Sequence, residues 1–182
     1  MELKVVRTPL TTEVVRSLRA GDFVALHGVV YTARDAAHRR MIQAIVSGEP
    51  LPFDPAGQVI YYTGPCPGFN HYPLGSCGPT TSGRMDGYTV ELLKLGIRGM
   101  IGKGERAAEV RAAMQEYQAV YLATIGGAGA YLSRKVLRAE IVAYPDLGPE
   151  AVMRLEVVDF PCIVATDVHG GNLYRDNNKG AI

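Results

Sequence analysis

The 182-residue chain lacks an excess of charge of either sign, because 19 basic residues balance 18 acidic ones. Proteins that bind nucleic acid or an anionic membrane through charge carry a strong basic surplus, so we expect neither partner. The chain also lacks an apolar run long enough to cross a bilayer, and residues 1–20 lack the uninterrupted apolar core of a signal peptide. We therefore expect a soluble, cytoplasmic protein.

Cysteine is scarce, and Cys66, Cys77 and Cys162 show no CxxC spacing. This odd number argues against a disulfide framework and against a zinc or iron–sulfur site held by this chain alone. We expect free, reduced thiols and no metal site of its own. Repeats, linkers and low-complexity tracts are missing as well, so we predict a single domain over residues 1–182.

A recurring order of strand, glycine-rich turn and helix organises most of the chain. Strands predicted at 22–31, 98–101 and 119–124 are each followed by a turn and a helical pattern. This order is typical of parallel βαβ units in an α/β protein, whose ligands bind at the carboxyl ends of the strands.

Both ends of the chain have their own predictions. We expect an edge strand at residues 1–6 and a polar tail over 172–179 that is exposed or frayed. Pro149 suits the first position of a helix, which predicts a helix over 148–157, and 161–168 is typical of a buried final strand.

Residues 75–88 are the most unusual stretch, with the sequence Gly-Ser-Cys-Gly-Pro-Thr-Thr-Ser-Gly-Arg-Met-Asp-Gly-Tyr. Glycine and proline disfavour regular structure here, and a helical pattern ending on Gly96 follows at once. The loop therefore brings hydroxyls and a guanidinium to a helix N-terminus, where a carboxylate or phosphate can bind; these groups belong to Thr80, Thr81, Ser82 and Arg84. An ordinary helix cap formed by Thr81 or Ser82 explains the stretch equally well.

Two more cations stand at predicted strand-to-helix junctions. Arg34 lies in the first turn of a helix that Thr32 and Asp35 are expected to open as a capping box, where a cation is unfavourable unless an anion accompanies it. Lys103 lies between two glycines, although the full P-loop pattern is absent. The turn at 126–129 lacks the GxGxxG spacing of a dinucleotide loop.

Three cations at such junctions favour a ligand with more than one negative group. A dicarboxylate suits them, because each carboxylate can accept a bidentate arginine. Removing a proton beside a carboxylate would create a dianion that Arg and Lys can stabilise in a dry site. The alternative is that nearby acids simply pair with the cations, namely Asp35, Asp86 and Glu105.

Several stretches carry a resemblance to a known family. The main ones are Tyr-Thr-Ala-Arg-Asp-Ala-Ala-His-Arg-Arg (31–40), Gly-Pro-Thr-Thr-Ser-Gly-Arg-Met-Asp (78–86) and Met-Ile-Gly-Lys-Gly (100–104). In these, and in shorter matches out to residue 161, the chain resembles the C-terminal domain or separate β subunit of class I, iron–sulfur-dependent fumarate hydratases. L-tartrate dehydratase β subunits share the pattern. The resemblance covers nearly the whole chain in order.

The resemblance implies a swivelling β/β/α domain with a parallel central sheet, flanking helices and a second antiparallel β layer. It implies reversible hydration of fumarate to (S)-malate, with a [4Fe–4S] cluster acting as a Lewis acid toward the substrate hydroxyl. An α subunit would hold that cluster, in an α2β2 assembly. Two alternatives stay open: the β subunit of an L-tartrate dehydratase, and a non-catalytic carboxylate-binding or regulatory module.

Site residues follow from the same motifs. The resemblance implies that Arg34 and Arg84 bind the substrate carboxylates, and that Lys103 neutralises the developing charge. Thr81 and Asp86 complete the substrate-binding set. Thr80 would lie nearest the proton that is removed, although a hydroxyl is a poor base unless its neighbours lower its pKa.

Overall fold

Parallel strands form the frame of the protein in a computed structural model, which describes residues 2–176. These strands are β1 (Leu3–Arg7), β2 (Phe23–Thr32), β3 (Val59–Tyr61), β4 (Gly99–Gly102) and β5 (Val120–Ala123). They lie side by side in chain order, and each neighbouring pair is parallel. The segments that follow β2 to β5 therefore meet along one border, called here the carboxyl edge. This arrangement confirms the prediction of parallel βαβ units.

Two antiparallel strands, β6 (Val136–Ala143) and β7 (Val152–Thr166), make the second layer. Strand β7 also pairs with β2, from Phe23↔Ile163 to Thr32↔Met153, and its last residues pair with β5. Because β7 bonds to both β2 and β5, the pairings close a ring through β2, β3, β4, β5 and β7. The α/β fold class is confirmed, with the antiparallel layer continuous with the parallel sheet.

Helices cover the outside of the parallel strands. They are α1 (Thr12–Ser17), α2 (Asp35–Val46), α3 (Asp86–Lys94), α4 (Ala108–Glu116), α5 (Gly129–Ser133) and α6 (Leu173–Asp176), with 3-10 turns at Ser82–Met85 and Pro145–Glu150. Successive strand residues point to opposite faces, which produces two cores. Ile60 and Met100 pack with Met41, Leu92 and other helix residues, whereas Tyr61 and Ile101 pack toward β7.

The predicted helix over 148–157 is wrong. Pro145–Glu150 forms a 3-10 turn in which Gly148 has φ 56° and ψ −121°, and Val152–Thr166 is one strand that includes the strand predicted at 161–168. Within this strand Leu155 and Val157 are buried while Glu156 is exposed, which is the alternation of a sheet. The segment is extended because β2 and β6 supply hydrogen-bond partners on both of its sides.

At the two ends of the chain, the structure is closer to the predictions. Strand β1 pairs with β2 alone among the described residues, as an edge strand does. Asn172 is buried and bridges Thr166, so the prediction of an exposed tail is wrong at its first residue. Residues 177–179 of that tail lie outside the described residues, and a single domain over 1–182 stays a prediction. No helix within residues 2–176 has the length and apolar character to span a bilayer.

Candidate active site

Backbone hydrogen bonds insert residues 80–82 between the extensions of β3 and β4 at the carboxyl edge. Thr80 donates its N–H to the Tyr62 carbonyl at 2.7 Å, and Lys103 donates to the Thr80 carbonyl at 3.3 Å. Ser82 in turn donates to the Lys103 carbonyl at 2.8 Å, and Thr81 forms a parallel bridge with Lys103. The loop from Gly75 thus behaves as a short added strand, which brings Thr80, Thr81 and Lys103 together.

Asp35 links the two predicted carboxylate-binding arginines. Arg84 donates from Nε to Asp35 Oδ1 at 3.0 Å, and its Nη2 lies 2.8 Å from Oδ2. Arg34 lies 3.7 Å from the same carboxylate and pairs with Glu150 at 3.1 Å. The expectation that Asp35 pairs with the cations is confirmed. Since the side chains of Arg34 and Arg84 are 28% and 50% exposed, both guanidiniums also remain open to a ligand from solvent.

The predicted capping box ahead of α2 is wrong. Helix α2 begins at Asp35 with Arg34 as its N-cap residue, and the Arg34 side chain makes no capping hydrogen bond. Glu150 Oε2 instead accepts the first-turn N–H of Ala36 at 2.8 Å. Thr32 is still in β2, and its Oγ1 accepts the Met153 N–H at 3.0 Å and donates to the Ala151 carbonyl at 3.2 Å. The reason is that β2 continues to pair with β7 through Thr32.

A glycine makes room for Arg34. A Cβ atom added at Gly64, which follows β3, would lie 2.9 Å from Arg34 Nη1. Any larger residue would displace the guanidinium, so Gly64 helps to keep Arg34 at the carboxyl edge.

Lys103 is the cation at this edge that has no partner among the described residues. Its side chain is exposed, and no described residue bonds to its ammonium group. Glu105, one of the acids expected to pair with the cations, instead contacts Arg111 at 3.1 Å and Arg175 at 2.9 Å. A Cβ at Gly126 would lie 3.6 Å from Lys103 Cδ, an ordinary van der Waals distance, so the turn after β5 runs beside the lysine side chain without crowding it. The ammonium group is therefore available to an anion.

Asp86 has a partner that the sequence did not suggest. Its Oδ1 accepts from Arg106 Nε at 2.7 Å, and its Oδ2 accepts the Ala107 N–H at 2.8 Å. The expectation that Asp86 pairs with one of the three predicted cations is wrong, while its contact with substrate stays a prediction. Arg106 itself is buried, in the segment between β4 and α4. The sequence carries no signal that would have singled it out.

Cysteine thiols are poorly placed to hold an iron–sulfur cluster here. Cys66 is exposed, Cys77 and Cys162 are buried, and all are free. Burial raises the pKa of Cys77 to about 12 and also raises the pKa of Cys162, so both favour the thiol over the thiolate that binds iron. No group of three or more His, Cys, Asp or Glu within residues 2–176 could hold a metal ion. The described residues do not fit a cluster.

His38 lies buried beneath the arginines, one turn after Arg34 on α2. Its Nδ1 lies 3.0 Å from the Arg34 carbonyl, so that nitrogen must carry the hydrogen and donate. Its Nε2 is buried and has no partner among the described residues. Burial lowers the pKa of His38 to about 4. The imidazole is therefore neutral at neutral pH, and it packs against Tyr62 at a ring distance of 5.4 Å.

This histidine makes a pH-dependent contribution to stability. Between its unfolded pKa of 6.5 and its folded pKa of about 4, the unfolded chain binds more protons, so stability is full above pH 6.5 and falls with acid. From pH 7 to pH 5 we expect His38 to reduce the free energy of unfolding by about 2 kcal/mol. Urea unfolding of His38→Gln should show a correspondingly shallower pH slope. The exposed His71→Gln is the control, and equal slopes for wild type and His38→Gln would contradict the assignment.

Taken together, the fold and this edge define a mixed α/β protein that gathers two arginines, a lysine and threonine hydroxyls at the carboxyl ends of parallel strands. Residues 1–177 match the family described as Fumarase C-terminus, and the chain belongs to this family of hydro-lyase domains and subunits.

Relatives are of two kinds. A Methanocaldococcus jannaschii protein provisionally named L(+)-tartrate dehydratase subunit beta is 43% identical, over 93% of this chain and 90% of its own length. The anaerobic class I fumarate hydratase of Escherichia coli K12 is 39% identical over 84% of this chain. Fumarate hydratase 2 of Leishmania major is 39% identical over 85% of it. The chain spans 28% of the length of each of these two fumarate hydratases.

Proposed function

We propose that this chain is the β subunit of an iron–sulfur hydro-lyase that hydrates fumarate reversibly to (S)-malate. The observation that carries the proposal is the grouping of Arg34 and Arg84 around Asp35, at the same edge as Lys103, which has no partner in the part of the chain that the structure describes. Two guanidiniums suit the two carboxylates of a C4 diacid. A further cation suits the charge that develops when a C–H bond beside a carboxylate breaks.

Each residue then has a distinct task. Arg84 exchanges its fork on Asp35 for a substrate carboxylate, and Arg34 binds the second carboxylate. Thr80 is held by its backbone bonds to Tyr62 and Lys103. Its hydroxyl first loses its own proton to solvent, and the resulting alkoxide takes the proton that malate loses in the dehydration direction. The Lys103 ammonium stabilises the negative charge left on the substrate. It also lowers the pKa of the Thr80 hydroxyl, which favours the deprotonated form that acts as the base.

A partner chain completes this site in the proposal. When bound, a [4Fe–4S] cluster would supply a Lewis acid toward the substrate hydroxyl; because the described residues do not fit it, we assign it to an α subunit in a cytoplasmic α2β2 assembly. The name of the archaeal relative as a subunit beta supports a partner. Phe69 and Tyr72 are exposed on the loop after β3, and Tyr131 is exposed on α5, which follows β5; all three lie beside the carboxyl edge. Exposed aromatic residues in such a place suit a protein interface.

L(+)-tartrate is the second candidate substrate. The relative named for tartrate dehydratase is 43% identical and matches the chain over 90% of its own length. Tartrate differs from malate by one hydroxyl at the reacting carbon, and a site that hydrogen-bonds this hydroxyl would select for it.

The decisive experiment is co-expression with a cluster-bearing α chain, anaerobic cluster reconstitution, and assay on malate and tartrate. We expect turnover of malate to fumarate at a kcat/KM well above that for tartrate. Preferred turnover of tartrate would replace the first candidate by the second. Turnover of neither substrate by a cluster-loaded complex would reject both.

A further inference from the structure

We propose that Arg106 is a positioning residue that holds the Thr80 loop and the Lys103 turn in the geometry that the site requires. The proposal rests on the function proposed above, because that function is the reason why this geometry matters. It deepens that function by adding a buried residue that contacts no substrate and acts through Asp86, Tyr62 and Tyr121.

Burial and bonding set Arg106 apart from the other arginines. Its side chain is 0% exposed, and its charge is balanced by Asp86 at 2.7 Å. The remaining nitrogens reach Tyr62 Oη at 3.1 Å and Thr89 Oγ1 at 2.7 Å. The guanidinium carbon also lies 5.2 Å from the centre of the Tyr62 ring and 5.3 Å from that of Tyr121. Few charged side chains are buried so completely, because desolvation costs about as much as pairing returns.

The first connection runs to Thr80. Arg106 binds the hydroxyl of Tyr62, and the backbone carbonyl of Tyr62 accepts the Thr80 N–H at 2.7 Å. Since Tyr62 directly follows β3, fixing its side chain also fixes the carbonyl that anchors the loop. Asp86 acts on the other end of the same loop, because it opens α3 only two residues after Arg84.

The second connection runs to Lys103. Tyr121, packed against Arg106, donates its hydroxyl hydrogen to the Gly104 carbonyl at 2.8 Å. A tyrosine hydroxyl has one hydrogen, so Ser82 must be the donor in its 2.9 Å contact with Tyr121. Gly102 permits this contact, since a Cβ there would lie 2.0 Å from Ser82 Oγ. The turn that carries Lys103 is thus tied to the loop that carries Thr80 through residues stacked on Arg106.

Only arginine can make all of these contacts at once. The planar guanidinium offers donors in fixed directions, whereas the lysine ammonium is a compact charge that cannot reach Asp86, Tyr62 and Thr89 together. Arg106→Lys therefore keeps the buried charge and much of the volume while it removes the fork, which makes it the informative substitution.

Hydrogen exchange of the isolated chain tests the proposal without any activity. In Arg106→Lys we expect the amides of Thr80, Ser82 and Lys103 to exchange about tenfold faster or more, because their acceptors lose support. Amides that pair β6 with β7 should be unchanged, as they should be in the control Arg138→Lys on the exposed face of β6. Unchanged loop amides, or an equal increase in β6 and β7, would overturn the positioning role.

If Arg106→Lys does not fold, Tyr121→Phe replaces it in the hydrogen-exchange test, because it removes only the hydroxyl that lies between Ser82 and Gly104. We expect faster exchange at Ser82 and Lys103 in this variant as well, and the absence of any change there would overturn the proposal.

The assembled enzyme gives the second readout. There Arg106→Lys should lower kcat by about 10- to 100-fold, as small displacements of catalytic groups do, with a much smaller change in KM. A wild-type kcat despite faster loop exchange would also overturn the role. If the wild-type complex turns over neither malate nor tartrate, the proposed function fails, while hydrogen exchange still decides whether Arg106 positions the loops.

Discussion

Replacing Lys103 with methionine is expected to lower kcat by about 10²- to 10³-fold, the usual effect of removing one electrostatic contact to a developing negative charge. The ammonium group is exposed and has no partner among residues 2–176, so the fold does not depend on it. Its loss therefore affects the transition state, where the substrate carries its greatest negative charge. The thermal midpoint of the isolated chain should stay within the error of the wild-type measurement.

Steady-state assays of the reconstituted complex, with both substrates, would measure the effect of Lys103→Met. Lys94→Met is the matched control, because Lys94 is an exposed lysine on α3 whose ion pair with Glu91 lies on the helix surface. We expect the control to keep near-normal kcat. A loss of less than about fivefold in Lys103→Met would show that this cation does not stabilise the transition state.

Arg84→Ala is expected to reduce kcat/KM by about 10²- to 10⁴-fold, since two hydrogen bonds to a charged group together contribute about 3–6 kcal/mol. The side chain is 50% exposed and, among residues 2–176, pairs with Asp35 alone, so its removal should cost the fold about 1 kcal/mol or less. Asp35 would still have Arg34 beside it. The defect should therefore be in substrate binding and turnover, not in assembly.

Gel filtration of the co-expressed complex separates these two effects. We expect Arg84→Ala to elute with its α partner as wild type does, while activity is lost, and Arg138→Ala on β6 to behave as wild type in both respects. Near-normal activity of Arg84→Ala would contradict its role in binding carboxylate, whereas failure to assemble would assign the residue to the interface.

Local sequence was enough to predict the parallel strands and where the candidate site residues lie in the fold. Glycines and helix-forming patterns mark where each strand ends, and the carboxyl ends of parallel strands must share one border. The pattern therefore predicts a shared edge for five residues, and the structure places them there: Arg34, Thr80, Thr81, Arg84 and Lys103. The pairing of Asp35 with the arginines was also among the expectations.

Other features depend on partners that are distant in the chain. Residues 148–157 fit a helix as well as a strand when taken alone, and they are extended because β2 and β6 offer unpaired backbone groups on both sides of β7. Thr32 bonds to the backbone at 151 and 153 instead of opening α2, for the same reason.

Around Thr80 and Lys103, too, some features follow from local sequence and others only from the tertiary structure. The composition and order of residues 75–88 were sufficient to indicate a loop rich in hydroxyls ending in an arginine. The partner of Asp86 and the burial of Arg106 arise only when β3, α3, the turn after β4 and β5 meet. A residue's own neighbours set its local backbone preference, whereas desolvation and hydrogen-bond partners come from segments that folding brings beside it.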